Sequence, residues 1–160
     1  MKLLSGILAG ALFLWAASAN ALVVIKADGG GIIRSYLQYY QTIRAAGDEI
    51  RLDGKCYSAC TIFTGVIPAW RVCFTDNAEL GFHSAAYTID RSYAKEATEE
   101  IFDAYPDRLK QMMKDRGWVG EEHPDLIIIK GDDLKTLGYR KCDESSWLTK
   151  LIDFVERLFS

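Results

Sequence analysis

Three observations predict an α/β fold: a layered β-sheet with flanking helices in a single domain. Short β-branched or apolar runs alternate with longer segments whose apolar residues recur at helical spacing, the pattern of a sheet covered by helices. No internal repeat, low-complexity tract or Pro- or Ser-rich linker interrupts the 160 residues. A chain of this size suits one domain burying about two-thirds of its unfolded surface.

Val23-Val24-Ile25 is a short β-branched run leading to Asp28 and Gly29-Gly30-Gly31, as a buried strand that delivers a loop would. Over residues 32–46, Ile33, Leu37, Tyr40 and Ile43 mark one face of a helix, and Gly47 stands where a helix stop is expected. Glu49-Ile50-Arg51-Leu52 is a second short strand, followed by Asp53-Gly54. Ala59, Cys60, Ile62 and Phe63 then predict a buried helix with Ser58 at its N-terminus. Arg71-Val72-Cys73-Phe74 and Glu79-Leu80-Gly81-Phe82 are the next strands, separated by the turn composition of Thr75-Asp76-Asn77, and His83 ends the second of them. Residues 93–116 are charged with an apolar stripe at Ala97, Ile101, Tyr105, Leu109 and Met112, which Pro106 divides into two helices. Leu126-Ile127-Ile128-Ile129 is a strand, 132–137 a short helix stopped by Gly138, and 147–158 an amphipathic tail helix.

Lys2, an apolar run over residues 3–17 and Ala19-Asn20-Ala21 form the pattern of a secretory signal peptide over residues 1–21. The run contains Ser5, Gly6 and Gly10 and falls short of the roughly 20 residues a spanning helix needs, so no stable membrane anchor is expected after cleavage. Residues 22–160 are then the exported domain, periplasmic if the source is a Gram-negative bacterium and secreted otherwise. Without Lys2, 18 basic and 22 acidic side chains remain, with no Lys or Arg cluster to track a phosphate backbone. Nucleic acid is excluded as an expected partner.

All four cysteines, Cys56, Cys60, Cys73 and Cys142, fall in the exported part, where an oxidising compartment favours disulfides. Three pairings are open. Cys56 and Cys60 close locally only if they leave regular helix geometry, and a Cys60–Cys73 bridge is at least as plausible. Four cysteines and two histidines raise zinc as a rival, but there is no C-x₂-C pair and export disfavours free thiolates, so no metal is expected. No cofactor motif is present.

Ser58, in Cys56-Tyr57-Ser58-Ala59-Cys60-Thr61, stands 25 residues before His83, with the glycines upstream of both. Acyl transfer needs a hydroxyl, an imidazole to take its proton and backbone N–H groups aimed at the developing oxyanion. Ser58 after a strand and before a helix points to a nucleophile; the Ala59 N–H at the helix start and the Gly30 N–H are the two oxyanion donors. Taken singly, Ser58 is a helix N-cap, His83 a strand-end histidine and the glycines a turn. Their conjunction favours chemistry. His123, in Glu121-Glu122-His123-Pro124-Asp125, is the one competing base, in what reads as a solvated loop. A carboxylate to hold the imidazole comes from Asp125, Asp132 or Asp133.

The arrangement resembles the proteolytic subunit of the Clp protease and its relatives in the ClpP/crotonase superfamily. Asp28-Gly29-Gly30-Gly31-Ile32 is similar to the oxyanion loop, Gly54-Lys55-Cys56-Tyr57-Ser58-Ala59 to the nucleophile turn, and residues 71–83 to the strand pair ending in the base. Asp132-Asp133-Leu134-Lys135-Thr136-Leu137-Gly138-Tyr139 resembles the short helix and glycine that follow the catalytic aspartate. Counting back from them, the resemblance points to Asp125 and sets Asp132 inside that helix. It implies a ClpP/crotonase-like fold, a Ser58-His83-Asp125 triad, a peptide or protein substrate and a homo-oligomer with the tail helix at the interface. The chain starts almost at the oxyanion strand, so nothing that docks an unfoldase is expected, and the expected activity is an ATP-independent serine hydrolase, a peptidase. The competing expectation is a catalytically silent domain that binds a peptide or partner in the same groove, with Trp70, Tyr87 and Trp118 as contacts. A thiol enzyme using Cys56 or Cys60 needs a free thiolate that a disulfide forbids.

Overall fold

The computed structural model describes residues 20–142, so most of the expected signal peptide and the whole of the expected 147–158 tail helix lie outside the described residues. Strand β1 (Leu22–Asp28) leads through the glycines to helix α1 (Ile33–Ala46), and β2 (Glu49–Tyr57) follows. A 3₁₀ turn, Ser58–Ile62, runs into the short helix α2 (Phe63–Val66). Then come β3 (Val72–Phe74), β4 (Glu79–Phe82), α3 (Lys95–Ala104), α4 (Asp107–Lys114), β5 (Ile127–Lys130), α5 (Asp132–Thr136) and β6 (Arg140–Lys141). The elements form one α/β unit: a curled six-stranded sheet with flanking helices.

The spine is β2, whose alternate residues Ile50, Leu52, Gly54 and Cys56 are buried, the period of two that a strand imposes. Along one edge it pairs in parallel with β1, from Leu22↔Glu49 to Asp28↔Cys56. Along the other, residues Ile50, Arg51 and Leu52 pair with β3, while Lys55, Cys56 and Tyr57 pair with β4, both in parallel. β5 lies antiparallel on β4, and β6 parallel on β3. Ile50, Leu52, Leu80, Phe82 and Ile129 from the sheet meet Tyr40, Phe63, Leu109, Met113 and Trp118 in the core.

Several expectations are corrected. The second strand does not stop at Leu52; it runs through Asp53-Gly54 to Tyr57. There β1 bulges, and a Cβ on Gly54 would stand 1.8 Å from the Lys26 carbonyl oxygen, so glycine serves close strand approach rather than a turn. Asp53 is held within the sheet by the Thr75 hydroxyl, which donates to its Oδ1 at 2.6 Å. β1 is not a buried strand: it pairs only with β2 among the described strands, and only Ile25 of its residues is buried. The helix expected from Ser58 opens as a 3₁₀ turn. Pro106 does separate two helices, as N-cap of α4.

The disulfides are Cys56–Cys60 and Cys73–Cys142; no Cys60–Cys73 bridge forms. Cys56 belongs to β2 and Cys60 to the 3₁₀ turn, so the local pair escapes regular helix geometry and its Cα atoms lie 5.3 Å apart, inside the usual range. Cys73 meets Cys142 because Phe74 pairs with Lys141, one residue short of it.

Candidate active site

Three parallel strands end at one edge of the sheet. Asp28 is in register with Cys56, and Tyr57 with Gly81. The residues just beyond those ends are therefore neighbours: the glycine loop after β1, Ser58 after β2 and His83 after β4. The carboxyl ends of parallel strands are where open α/β sheets carry their ligand crevices. Here a cavity of about 260 Å³ opens, lined by all three glycines, Ser58 and His83, with Ile33, Ile101 and Tyr105 among its apolar walls.

Ser58 has φ 55°, in the left-handed region that non-glycine residues seldom enter. Such strain persists only where surroundings over-determine it. The Cys56–Cys60 bridge ties the strand end to the turn. The Tyr40 hydroxyl donates to Cys60 O at 2.9 Å, and the Thr61 hydroxyl donates to Ser58 O at 2.6 Å. With that proton committed, the buried Tyr105 hydroxyl donates to Thr61 Oγ1 at 2.7 Å. Burial pushes the Tyr105 phenol above its ordinary pKa, which keeps it a donor. The Ser58 hydroxyl makes no hydrogen bond among the described residues, so it is not serving as a helix cap.

Gly30 lies directly on this turn. A Cβ there would stand 2.7 Å from both Ala59 N and Tyr57 O, and φ is 84°. The expected oxyanion donors are thus adjacent, and Ala59 is the second residue of a 3₁₀ turn whose first N–H groups have no partner within it. The Gly30 N–H, however, donates to Asp28 Oδ1 at 2.8 Å, and the Tyr36 hydroxyl donates to the same oxygen at 2.6 Å. In this conformation Gly30 offers its N–H to Asp28 rather than to the cavity.

His83 is half-buried beyond β4. It shares the cavity with Ser58, but no hydrogen bond joins the two among the described residues. Nor does a carboxylate bond to His83. Asp125 is exposed and meets His123 through its backbone oxygen, 2.9 Å from His123 Nδ1. Asp132 pairs with Lys135 at 3.1 Å, and Asp133 with Arg116. His123 lies, as expected, in a loop whose Glu121, Glu122, Pro124 and Asp125 are exposed; its own side chain is half-buried, the ring 6.2 Å from that of Trp118. Trp118, expected on the surface, is 2% exposed, while Trp70 and Tyr87 are indeed exposed.

Sequence reasoning missed Glu122. Ser84 N–H donates to His123 O at 2.9 Å, and His123 N–H to Ser84 Oγ at 3.1 Å. These two bonds hold the segment that follows β4 against the loop of residues 122–124. His83, Pro124 and Glu122 line a second cavity of about 290 Å³. The only signal was its place in Glu121-Glu122-His123-Pro124, which without the Ser84 pairing reads as loop.

No protein-family model matches the chain, and no curated protein matches it.

Proposed function

We propose that the protein is an exported, ATP-independent serine hydrolase of the ClpP/crotonase-like kind, most simply a peptidase. Ser58 attacks a carbonyl carbon while His83 takes its proton; His83 returns that proton to the leaving group, and water then releases the acyl group from Ser58. Ala59 N–H receives the oxyanion, joined by Gly30 N–H once it leaves Asp28. The observation that carries this reading is Ser58 itself: a strained, uncapped serine on a braced strand-to-turn bend, lining one cavity with His83 and the glycine loop. A nucleophile held out from such a bend is the device other hydrolases use. Two disulfides favour export, and among the described residues no helix is long and apolar enough to cross a membrane.

Asp125 is the third member that the resemblance implies; Glu122 is the carboxylate that shares a cavity with His83. The competing reading, a silent domain that binds peptide in the same groove, is favoured by the Gly30 N–H being held by Asp28. A fluorophosphonate probe decides between them. Adduct on Ser58, lost in Ser58→Ala and in folded His83→Ala, is the expected outcome; unlabelled wild-type protein would leave the binding reading. Substituting Glu122→Gln and Asp125→Asn separately identifies the carboxylate by which one slows labelling.

A further inference from the structure

We propose that the cleft beside Ser58 selects anionic ligands, an apolar residue on Ile33, Ile101 and Tyr105 with a carboxylate received by Arg91. The inference rests on reading the cleft as a substrate site, and it does not require Ser58 to be reactive.

The lining is unusual for this chain. Acidic side chains outnumber basic ones, 22 to 19, yet the cavity is lined by no Asp or Glu and by one Lys or Arg residue, Arg91. Arg91 reaches the cavity from the loop between β4 and α3, where an isolated bridge joins Ala86 to Tyr93. Arg91 N–H donates to Tyr87 O at 3.0 Å, and Tyr87 N–H to Ser92 O at 2.9 Å, so the backbone is pinned on both sides of the bend. Arg91 itself sits at φ 61°, sharing with Ser58 alone, among the described non-glycine residues, the left-handed region. A long cation held this way has its Cα fixed while its head stays free to reach a ligand.

The guanidinium has no ion pair and no hydrogen bond among the described residues. The carboxylate next to it in sequence is already engaged: Asp90 Oδ1 accepts from Ser92 N–H at 3.0 Å and from Ser92 Oγ at 2.7 Å. Glu122, across the second cavity that Arg91 also lines, forms no ion pair with it either. An unpaired guanidinium beside an acid-free apolar cleft matches a carboxylate in both charge and fork geometry. At about 260 Å³ the cleft is smaller than the usual pocket for a drug-sized ligand, so it suits one or two residues rather than a long chain.

The carboxylate is either a peptide C-terminus or an acidic side chain, and three probes separate these: acetyl-Leu-Ala with a free carboxylate, its C-terminal amide, and amidated acetyl-Leu-Glu. Titration calorimetry on the Ser58→Ala protein removes turnover from the readout. At least one carboxylate probe is expected to bind about tenfold tighter than the neutral amide, the scale of one charge-assisted contact near a surface. Arg91→Asn, which accepts the left-handed backbone, is expected to bring the three within about twofold, and Arg91→Asp to invert the order. Equal affinity for acid and amide, an acid preference that survives Arg91→Asn, or no binding of any probe would overturn the proposal. Absence of fluorophosphonate labelling would instead count against the hydrolase reading and leave the carboxylate preference to be read from the titrations.

Discussion

At its C-terminal end α1 surrenders its last carbonyls to a fully built cap, whereas at its N-terminal end it hangs from a glycine loop and one carboxylate. Gly47 N–H donates to Arg44 O and Asp48 N–H to Ile43 O, closing the helix. The Arg71 guanidinium, 5% exposed, adds donors to Ile43 O at 2.9 Å, Arg44 O at 3.1 Å and Asp48 O at 2.8 Å. A cation there also meets the negative end of the helix dipole. At the other end Ile32 offers no side-chain cap, and Asp28 alone secures Gly30 and Tyr36. The difference teaches where rigidity is placed: the helix is anchored far from the cavity, and the end that touches it is left adjustable.

Four experiments test that contrast, starting with the largest effect. Arg71→Met should destabilise the fold by about 3 kcal/mol, since it removes the charged donor's hydrogen bonds to Ile43 O, Arg44 O and Asp48 O and leaves only the backbone cap; urea denaturation reads it, and an effect of a few tenths would mean the cap is redundant. Gly30→Ala should lose roughly 2 kcal/mol through the left-handed backbone and the contacts at Ala59 N and Tyr57 O, and should abolish probe labelling of Ser58 in protein that remains folded. Unchanged labelling would show that the loop is not part of the site. Asp28→Ala should lower stability by only about 1 kcal/mol while raising the labelling rate, because it releases the Gly30 N–H; slower labelling would instead make Asp28 a support the reactive arrangement needs.

The smallest effect lies at alkaline pH. Burial, and then the hydrogen bond to Asp28, raises the Tyr36 phenol to about 12. A phenol whose folded pKa is raised contributes stability that is fully present below its unfolded value, near 10, and lost as pH rises through about 12. Stability measured between those limits should fall less steeply in Tyr36→Phe than in the parent. Equal slopes would mean that Tyr36 ionises as freely in the folded protein as in the unfolded one.

What was legible in the sequence follows the range of the interactions involved. Gly47, Pro106 and Gly138 punctuate helices through local backbone chemistry, and β4 ends at Phe82, where its apolar run does, with His83 next. The gathering of the glycine loop, Ser58 and His83 in one cavity also follows from reading each at a strand end. Features set by pairing between distant segments were not legible. The bulge of β1 on Gly54 hid the length of β2, and the exchange between Ser84 and His123 hid Glu122. Trp118 looked like surface because its cover comes from Phe102, its ring 5.2 Å away, and from Glu121 O, which accepts its Nε1–H.

The two disulfides also differ in span. Cys56 and Cys60, four residues apart, can meet as soon as the end of β2 and the following turn exist. Cys73 and Cys142, 69 residues apart, must close a far longer loop, at a greater entropy cost that the pairing of β6 with β3 offsets by bringing them together. The first bridge thus clasps the bend that carries Ser58 locally, and the second ties the far edge of the sheet to the end of the described chain.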